Sequence, residues 1–347
     1  MKKLAAVLAV AMMFVLTGCG DDPKPVVLTY ISRGSSDSYA PHLFTLDTKT
    51  KKSSAVNIPI PNYAWAVAAN GDATAVTYCY PTTSDEDSWE IFLMGKDGKE
   101  KQLTSDADAC ESTFSPDGKT IAYVSIPSGG EPQILTMNAD GSNQKALYPG
   151  DPGTMAQLMP QFSPDGKSLV FYIEALSPGF IQPAYSKERS HRFFWPSAKS
   201  WHSNYIHSNG ATVAAAAPSE SGWYRMALTD SAATLVYSAS DWWGPSAFSE
   251  DGKKLLMTVY DSDTEYLNVA SVNLDGTGLT ALTASDMDDT DDLAPAAYSG
   301  AILFNRYNYD NSSLDIYVMD QNGANQTLVS SETDTYQCLN DTYCSLD

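Results

Sequence analysis

Positive charge is what this sequence has least of. Its 347 residues carry 21 Lys and Arg against 42 Asp and Glu, a net charge of -21, with only four histidines. A body this acidic repels polyanions, which excludes nucleic acid as a partner unless basic residues cluster locally. Spanning helices are not written at the N-terminus either. The apolar run from Leu4 to Val15 is about a dozen residues, short of the roughly 20 a bilayer demands. What is present is a folded composition: 43% hydrophobic and 11% aromatic residues are too rich for a disordered acidic tail.

The N-terminus reads as a processing signal. Lys2 and Lys3 precede the apolar run, and Leu16-Thr17-Gly18-Cys19 closes it. That tetrapeptide resembles the lipobox of bacterial lipoproteins. The resemblance implies that residues 1-18 are removed and that Cys19 is acylated, anchoring the chain to the lipid bilayer. Several acyl chains hold stably where one does not. Loss of Lys2 and Lys3 leaves 19 basic against 42 acidic side chains, a charge of -23. Residues 19-25 form a linker reaching at most roughly 23 Å, and 26-347 form the globular part. Sorting rules for Gly20-Asp21-Asp22 differ between bacteria; the periplasmic side of the outer membrane is the favoured address. Four cysteines remain, Cys79, Cys110, Cys338 and Cys344, an even number that fits two disulfides with three pairings open.

The body repeats itself. Phe114-Ser115-Pro116-Asp117-Gly118-Lys119 followed by Thr120-Ile121-Ala122-Tyr123 recurs from Phe162 to Phe171 and from Phe248 to Met257. Weaker copies surround Asn70-Gly71 and Asn209-Gly210, and a shortened one begins at Tyr298-Ser299-Gly300. Asp-Gly and Asn-Gly predict two-residue type I′ hairpins between first and second strands. A second set, Asp97-Gly98, Asp140-Gly141, Asp275-Gly276 and Asn322-Gly323, follows third strands. Third strands line up at 43-46, 91-94, 134-137, 223-226, 269-272 and 316-319. Four antiparallel strands in about 45 residues predict an all-β propeller. Second strands near Leu28, Thr74, Ile121, Leu169, Val213, Leu255 and Ile302 predict seven blades, with six if the first or fourth unit is malformed. The C-terminal segment from Tyr336 to Leu339, beside the strand at Val26, would close the ring.

Phe-Ser-Pro-Asp-Gly-Lys, an apolar strand, then a strand ending in Met before an Asp-Gly turn, resembles the TolB-like propeller repeat. The likeness spans most of the chain after the leader. It implies an envelope protein that binds other proteins. The same repeats form the propeller of prolyl-oligopeptidase-type hydrolases, but no Gly-x-Ser-x-Gly elbow occurs here. The N-terminal domain of TolB has no counterpart before Val26, so its specific role is not implied. In a propeller, loops leaving second strands and loops entering first strands share one face. This pairs Cys79 with Cys110 on adjacent blades and leaves Cys338 and Cys344 to staple the closing strand.

Residues entering first strands on that face are the ligand-binding candidates: Tyr63, Trp65, Glu111, Gln161, Trp201, His202, Asn204, Asp241, Trp242, Trp243, Asp291 and Asp292. Exposed aromatics beside hydrogen-bonding groups suit sugars or peptides. Between Glu174 and Asn204 the repeat breaks, and Lys187, Arg189, His191, Arg192, Phe193, Phe194, Trp195 and Lys199 crowd into an otherwise acidic chain. This insertion, with Arg192 inside it, suits an anionic group. His191, His202 and His207 fit no compact metal-ligand spacing, so no metal site is expected from them. The acidic runs 261-265 and 286-292 offer clustered oxygens of the kind calcium takes, without EF-hand spacing; they read as solvated surface, and no cofactor is expected. The sequence thus predicts a non-enzymatic, lipid-anchored envelope protein binding another protein. The alternative is a saccharide-binding protein or metal-dependent oligosaccharide lyase.

Overall fold

The computed structural model describes residues 28-34, 40-47, 52-62, 64-82, 88-105, 108-126, 131-147, 155-175, 220-230, 232-239, 246-284, 290-298, 300-311, 313-330 and 335-338. They form antiparallel sheets arranged as six blades. Blade one holds β4 (Trp65–Ala69), β5 (Ala75–Pro81), β6 (Trp89–Gly95) and β7 (Glu100–Gln102). Blade two holds β8 (Ala109–Phe114), β9 (Thr120–Ser125), β10 (Gln133–Asn138) and β11 (Lys145–Ala146). Blade three is β12 (Met155–Phe162), β13 (Ser168–Ala175), β14 (Gly222–Ala227) and β15 (Thr234–Ser238). Blade four is β16 (Ala247–Phe248), β17 (Lys254–Asp261), β18 (Tyr266–Asn273) and β19 (Thr280–Ala281). Blade five is β20 (Thr290–Tyr298), β21 (Ala301–Asn308), β22 (Ser313–Asp320) and β23 (Thr327–Ser330). Blade six is built from both ends of the chain. β24 (Thr335–Cys338) pairs with β1 (Leu28–Gly34), which pairs with β2 (Pro41–Asp47), and β2 with β3 (Lys52–Ala55).

The described residues form six blades, not the expected seven. β13 pairs directly with β14, Leu169 opposite Met226 and Ile173 opposite Gly222, so the strand expected to serve the next unit completes blade three. The segment around Asn209-Gly210 lies in an insertion, 176-219, outside the described residues. Apolar clusters confirm the count by joining every neighbouring pair. Ile31 and Leu43 share a cluster with Val76 and Tyr78, linking blades six and one. Cys79 and Ile91 share one with Ile121 and Tyr123, linking one and two. A larger cluster runs from Val124 and Ile134 through Phe171 and Trp223 to Leu255 and Met257, covering blades two to four. Leu256 and Val269 meet Ile302 and Phe304 between four and five, and Leu303 and Ile316 meet Tyr30 and Leu46 between five and six.

Strand composition follows from position in the blade. Middle strands lie between two neighbouring blades and bury both faces, so they read as continuous apolar runs. Leu169, Val170, Phe171, Tyr172 and Ile173 of β13 are all fully buried. Outermost strands carry a free edge, and β3, β7 and β11 are exposed along their length with Lys52, Glu100, Lys101 and Lys145 on them. Charge on an edge discourages pairing with another chain.

The turns differ from the type I′ expectation. In Ser115-Pro116-Asp117-Gly118 the Gly118 N–H donates to the Ser115 carbonyl at 2.8 Å, and only the glycine, at φ 68°, is left-handed. This is a type I turn with a glycine after it, stabilised by side chains. Asp117 accepts from the Ser115 hydroxyl at 2.7 Å and the Lys119 N–H at 3.1 Å, and the Ser115 hydroxyl oxygen accepts from the Thr120 N–H at 2.9 Å. The turns at Ser163 and Ser249 repeat these bonds. Asn70 plays the part of Ser115 in blade one, so Ala73, and not Gly71, takes the left-handed position at φ 52°.

Candidate functional site

Successive first strands β4, β8, β12, β16 and β20 touch one another around the axis. Four of them share a device that the sequence does not announce. A bulge interrupts the pairing of β4 after Trp65, of β8 after Cys110, of β12 after Leu158 and of β20 after Leu293. The residue after each of these is left-handed: Ala66 at φ 49°, Glu111 at 48°, Met159 at 57° and Ala294 at 51°. Such non-glycine conformations cost on the order of 1 kcal/mol or more and persist where surrounding structure over-determines them. Bulges commonly re-aim side chains next to sites.

At three of the four equivalent positions the side chain is apolar; in blade two it is a carboxylic acid. Glu111 is 7% exposed, and its Oε2 accepts the backbone N–H of Met159 at 3.1 Å. That bond crosses from the first strand of blade two to the matching bulge of blade three. Burial pushes the Glu111 carboxyl up to about 7, and the Met159 N–H only partly offsets the loss of water. The equivalent N–H in blade five, Ala294, donates instead to the Thr258 hydroxyl of blade four at 3.2 Å.

Around the same face the other first-strand entrances carry further polar anchors. Arg33, 2% exposed at the end of β1, donates from Nη2 to the Ala64 carbonyl at 2.8 Å and stacks its guanidinium 5.0 Å from the Trp65 ring centre. This joins blades six and one. Asp291 accepts the Leu267 N–H at 2.7 Å and the Tyr309 hydroxyl, and burial raises its carboxyl above the usual range. Asp292 is fully buried and held by Arg306 through two bonds of 2.6 and 2.7 Å. Asp108, just ahead of β8, accepts the Trp89 N–H at 3.3 Å as Asp291 accepts that of Leu267, and burial raises it too. This pairing of an entry aspartate with a third strand recurs in blades two and five.

Cys79, near the end of β5, and Cys110, near the start of β8, form a disulfide with Cα atoms 5.3 Å apart. Cys110 immediately precedes Glu111, so the crosslink and the bulge share one stretch of backbone. Cys338 lies in β24, beside Ile31 in register. Gln161 sits past the β12 bulge, opposite Val170 and close to the Ser163 turn, at the other end of its strand. At the entrance level of β12 stands Gln157, buried, whose Oε1 accepts the Ile134 N–H at 3.2 Å. Cys19, Tyr63, Arg192, Trp201, His202, Asn204, Asp241, Trp242, Trp243 and Cys344 lie outside the described residues. The insertion containing four of them leaves β13 after Ala175, opposite Met155 at the start of β12, and so departs from the same face as Glu111. Among the described residues no three His, Cys, Asp or Glu side chains come together as a metal site.

Comparison with known proteins adds the fold class. No family model and no curated protein sequence matches the chain. Solved structures do. TolB from Acinetobacter baumannii matches at TM-score 0.55 and 16% identity, over 90% of this chain and 66% of that one. A putative TolB from Agrobacterium tumefaciens matches at 0.56 and 15%, over 90% and 97%. An oligogalacturonate lyase solved in complex with manganese matches at 0.52 and 12%, over 88% and 73%. This chain therefore spans just under two thirds of the first TolB and nearly all of the second. Identities this low establish a shared ring of blades and leave activity open. The class so defined is a six-bladed propeller similar in fold to TolB.

Proposed function

We propose that this chain is a lipid-anchored protein of the bacterial cell envelope, held by an acylated Cys19, whose propeller binds another protein without catalysing a reaction. The observation that carries the reading is the joining, in one chain, of the lipobox-like Leu16-Thr17-Gly18-Cys19 to a ring similar in fold to TolB. The face on which first strands begin is the binding face. It gathers Trp65, Glu111 and Asp291, and the basic, aromatic insertion departs from it. A polar, aromatic rim around buried anchors is the usual anatomy of a protein-binding surface. Radiolabelled palmitate should enter the wild-type chain and not Cys19→Ala, and crosslinking in intact envelopes should capture a protein. Label retained by Cys19→Ala removes the anchor; capture of lipids and abundant porins alone removes the scaffold role.

A second reading is saccharide binding or metal-dependent cleavage of an oligosaccharide, favoured by the fold likeness to the manganese-bound lyase. The reading rests on the channel-mouth loops, where His202 stands beside Trp201 in sequence. Metal analysis of the purified chain, with His202→Ala beside it, tests this. Equal metal content in the two, or none in either, sets the metal-dependent cleavage aside, and no binding on a glycan array removes the saccharide reading.

A further inference from the structure

The first strands of the six blades, β4, β8, β12, β16, β20 and β24, contain Glu111, Asp291 and Asp292 and no lysine, arginine or histidine. Two of these three carboxylates are well compensated. Asp292 has the Arg306 guanidinium on it, and Asp291 has a backbone N–H and the Tyr309 hydroxyl. Among the described residues Glu111 has the Met159 N–H alone, although it is more than nine-tenths buried. The strands packed against β8 carry Tyr78, Tyr80, Glu90 and Tyr123, with Asp108 just ahead of β8 itself, and no basic group. Cys79 and Cys110 are tied to each other and do not titrate. A buried carboxylate with one hydrogen bond and no cation is a costly arrangement. It is maintained here by a left-handed backbone and an adjacent crosslink, so the fold spends local strain on placing an acid where its repeats place Ala or Met.

We propose that Glu111 is the receptor for one cationic side chain, a lysine or arginine that the partner protein inserts through the face where the first strands begin. This rests on the protein-binding reading above and names what that face recognises. Either side chain carries its charge on a long flexible stem, which suits an acid set back from the surface. Charge pairing inside the ring recovers what Glu111 loses by leaving water. Because the carboxyl sits near 7, the cation must displace a proton below that pH.

The probe is a fluorescein-labelled Gly-Ser peptide with one central lysine, compared with the same peptide carrying norleucine. Both are titrated against the full chain in detergent micelles at physiological salt and followed by fluorescence anisotropy. The lysine peptide should bind at least tenfold tighter than the norleucine peptide, and its affinity should rise about tenfold between pH 6 and pH 8 as the acid ionises. Glu111→Gln, which keeps the acceptor for Met159, should lose both effects. Asp165→Asn, at an exposed turn, should keep both. Lysine selectivity surviving in Glu111→Gln overturns the proposal, as does a wild-type affinity that ignores pH; the latter needs no variant to fold. Absence of peptide binding while crosslinking still captures a partner retires this inference alone. Capture of no partner retires the reading beneath it.

Discussion

A Cβ added to Gly323 would stand 2.2 Å from the carbonyl oxygen of Leu282. Gly323 closes the turn between β22 and β23 in blade five, and Leu282 follows the outermost strand of blade four. The contact recurs around the ring: Gly141 meets Leu103, Gly276 meets the Val236 carbonyl and Gly98 meets Pro59, each on the preceding blade. Gly141, Gly276 and Gly323 serve two needs at once, a left-handed φ and close backbone approach between blades, whereas Gly98 meets only the Pro59 side chain at 3.6 Å. Gly323→Ala should therefore cost more than Gly118→Ala. The latter meets nothing within 4 Å and loses only conformational freedom, about 1 kcal/mol. The former adds overpacking of roughly 1–3 kcal/mol. Urea denaturation of the two variants reads the difference; equal midpoints would show that the contact carries no energy.

The pH dependence of stability should carry the signature of Glu111. Its folded carboxyl lies near 7 against an ordinary value of 4.5, so between those pH values the folded state holds a proton that the unfolded state has released. Stability then falls as pH rises through this window, by about 3 kcal/mol in total from this group. Below pH 4.5 the effect vanishes, and above 7 the cost is fully present. Glu111→Gln should be more stable than the wild type at pH 8 and nearly equal to it at pH 4. Thermal melts at the two pH values measure this, and a difference independent of pH contradicts it.

The Cys79–Cys110 crosslink spans a sequence separation of 31 residues. In the chain-entropy description a loop of that size stabilises the fold by about 3 to 4 kcal/mol. The double variant Cys79→Ser/Cys110→Ser should lose about that much in denaturant titration, and reductant should reproduce the loss in the wild type. Reductant that leaves the wild-type midpoint unmoved would show that the crosslink contributes little.

Ring closure depends on four residues at the far end of the chain. β24 covers the edge of β1 from Ile31 to Gly34, and it touches β22 through one parallel bridge, Leu314 to Tyr336. Truncation after residue 334 should leave β1 as an open edge, lower the melting temperature and drive association into dimers or aggregates. Light scattering on the truncated chain would show the change. A monomer that melts like the wild type would mean that the apolar clusters alone hold the seam.

Both the legibility of this chain and its limits come from the repeat. The third strands ending in Met or its equivalents numbered six, and the ring has six blades. Counting second strands misled, because Asn209-Gly210 looks like a hairpin turn. Turn chemistry is local, whereas the pairing of Leu169 with Met226 joins strands separated by a long insertion. Asn70-Gly71 shows the same limit at smaller scale. The dipeptide matches Asp-Gly in letters, yet the hydrogen bonds align Asn70 with Ser115 and put Ala73 in the left-handed position. At the candidate site, adjacency in sequence placed Cys79 and Cys110 on one face because strand order alone dictates it. The letters placed Glu111 among the acids that enter first strands, with Asp241, Asp291 and Asp292, but did not mark it as the one at a left-handed bulge.

From sequence alone came what is periodic or adjacent: the all-β ring, the third strands and the scarcity of positive charge. Side-chain alternation, turn propensity and processing motifs act over a few residues, so they can be read without coordinates. Tertiary structure alone decided the blade count and the state of Glu111. Each depends on which distant strands meet, and a carboxyl becomes a near-neutral acid only when neighbouring blades remove its water and supply no cation.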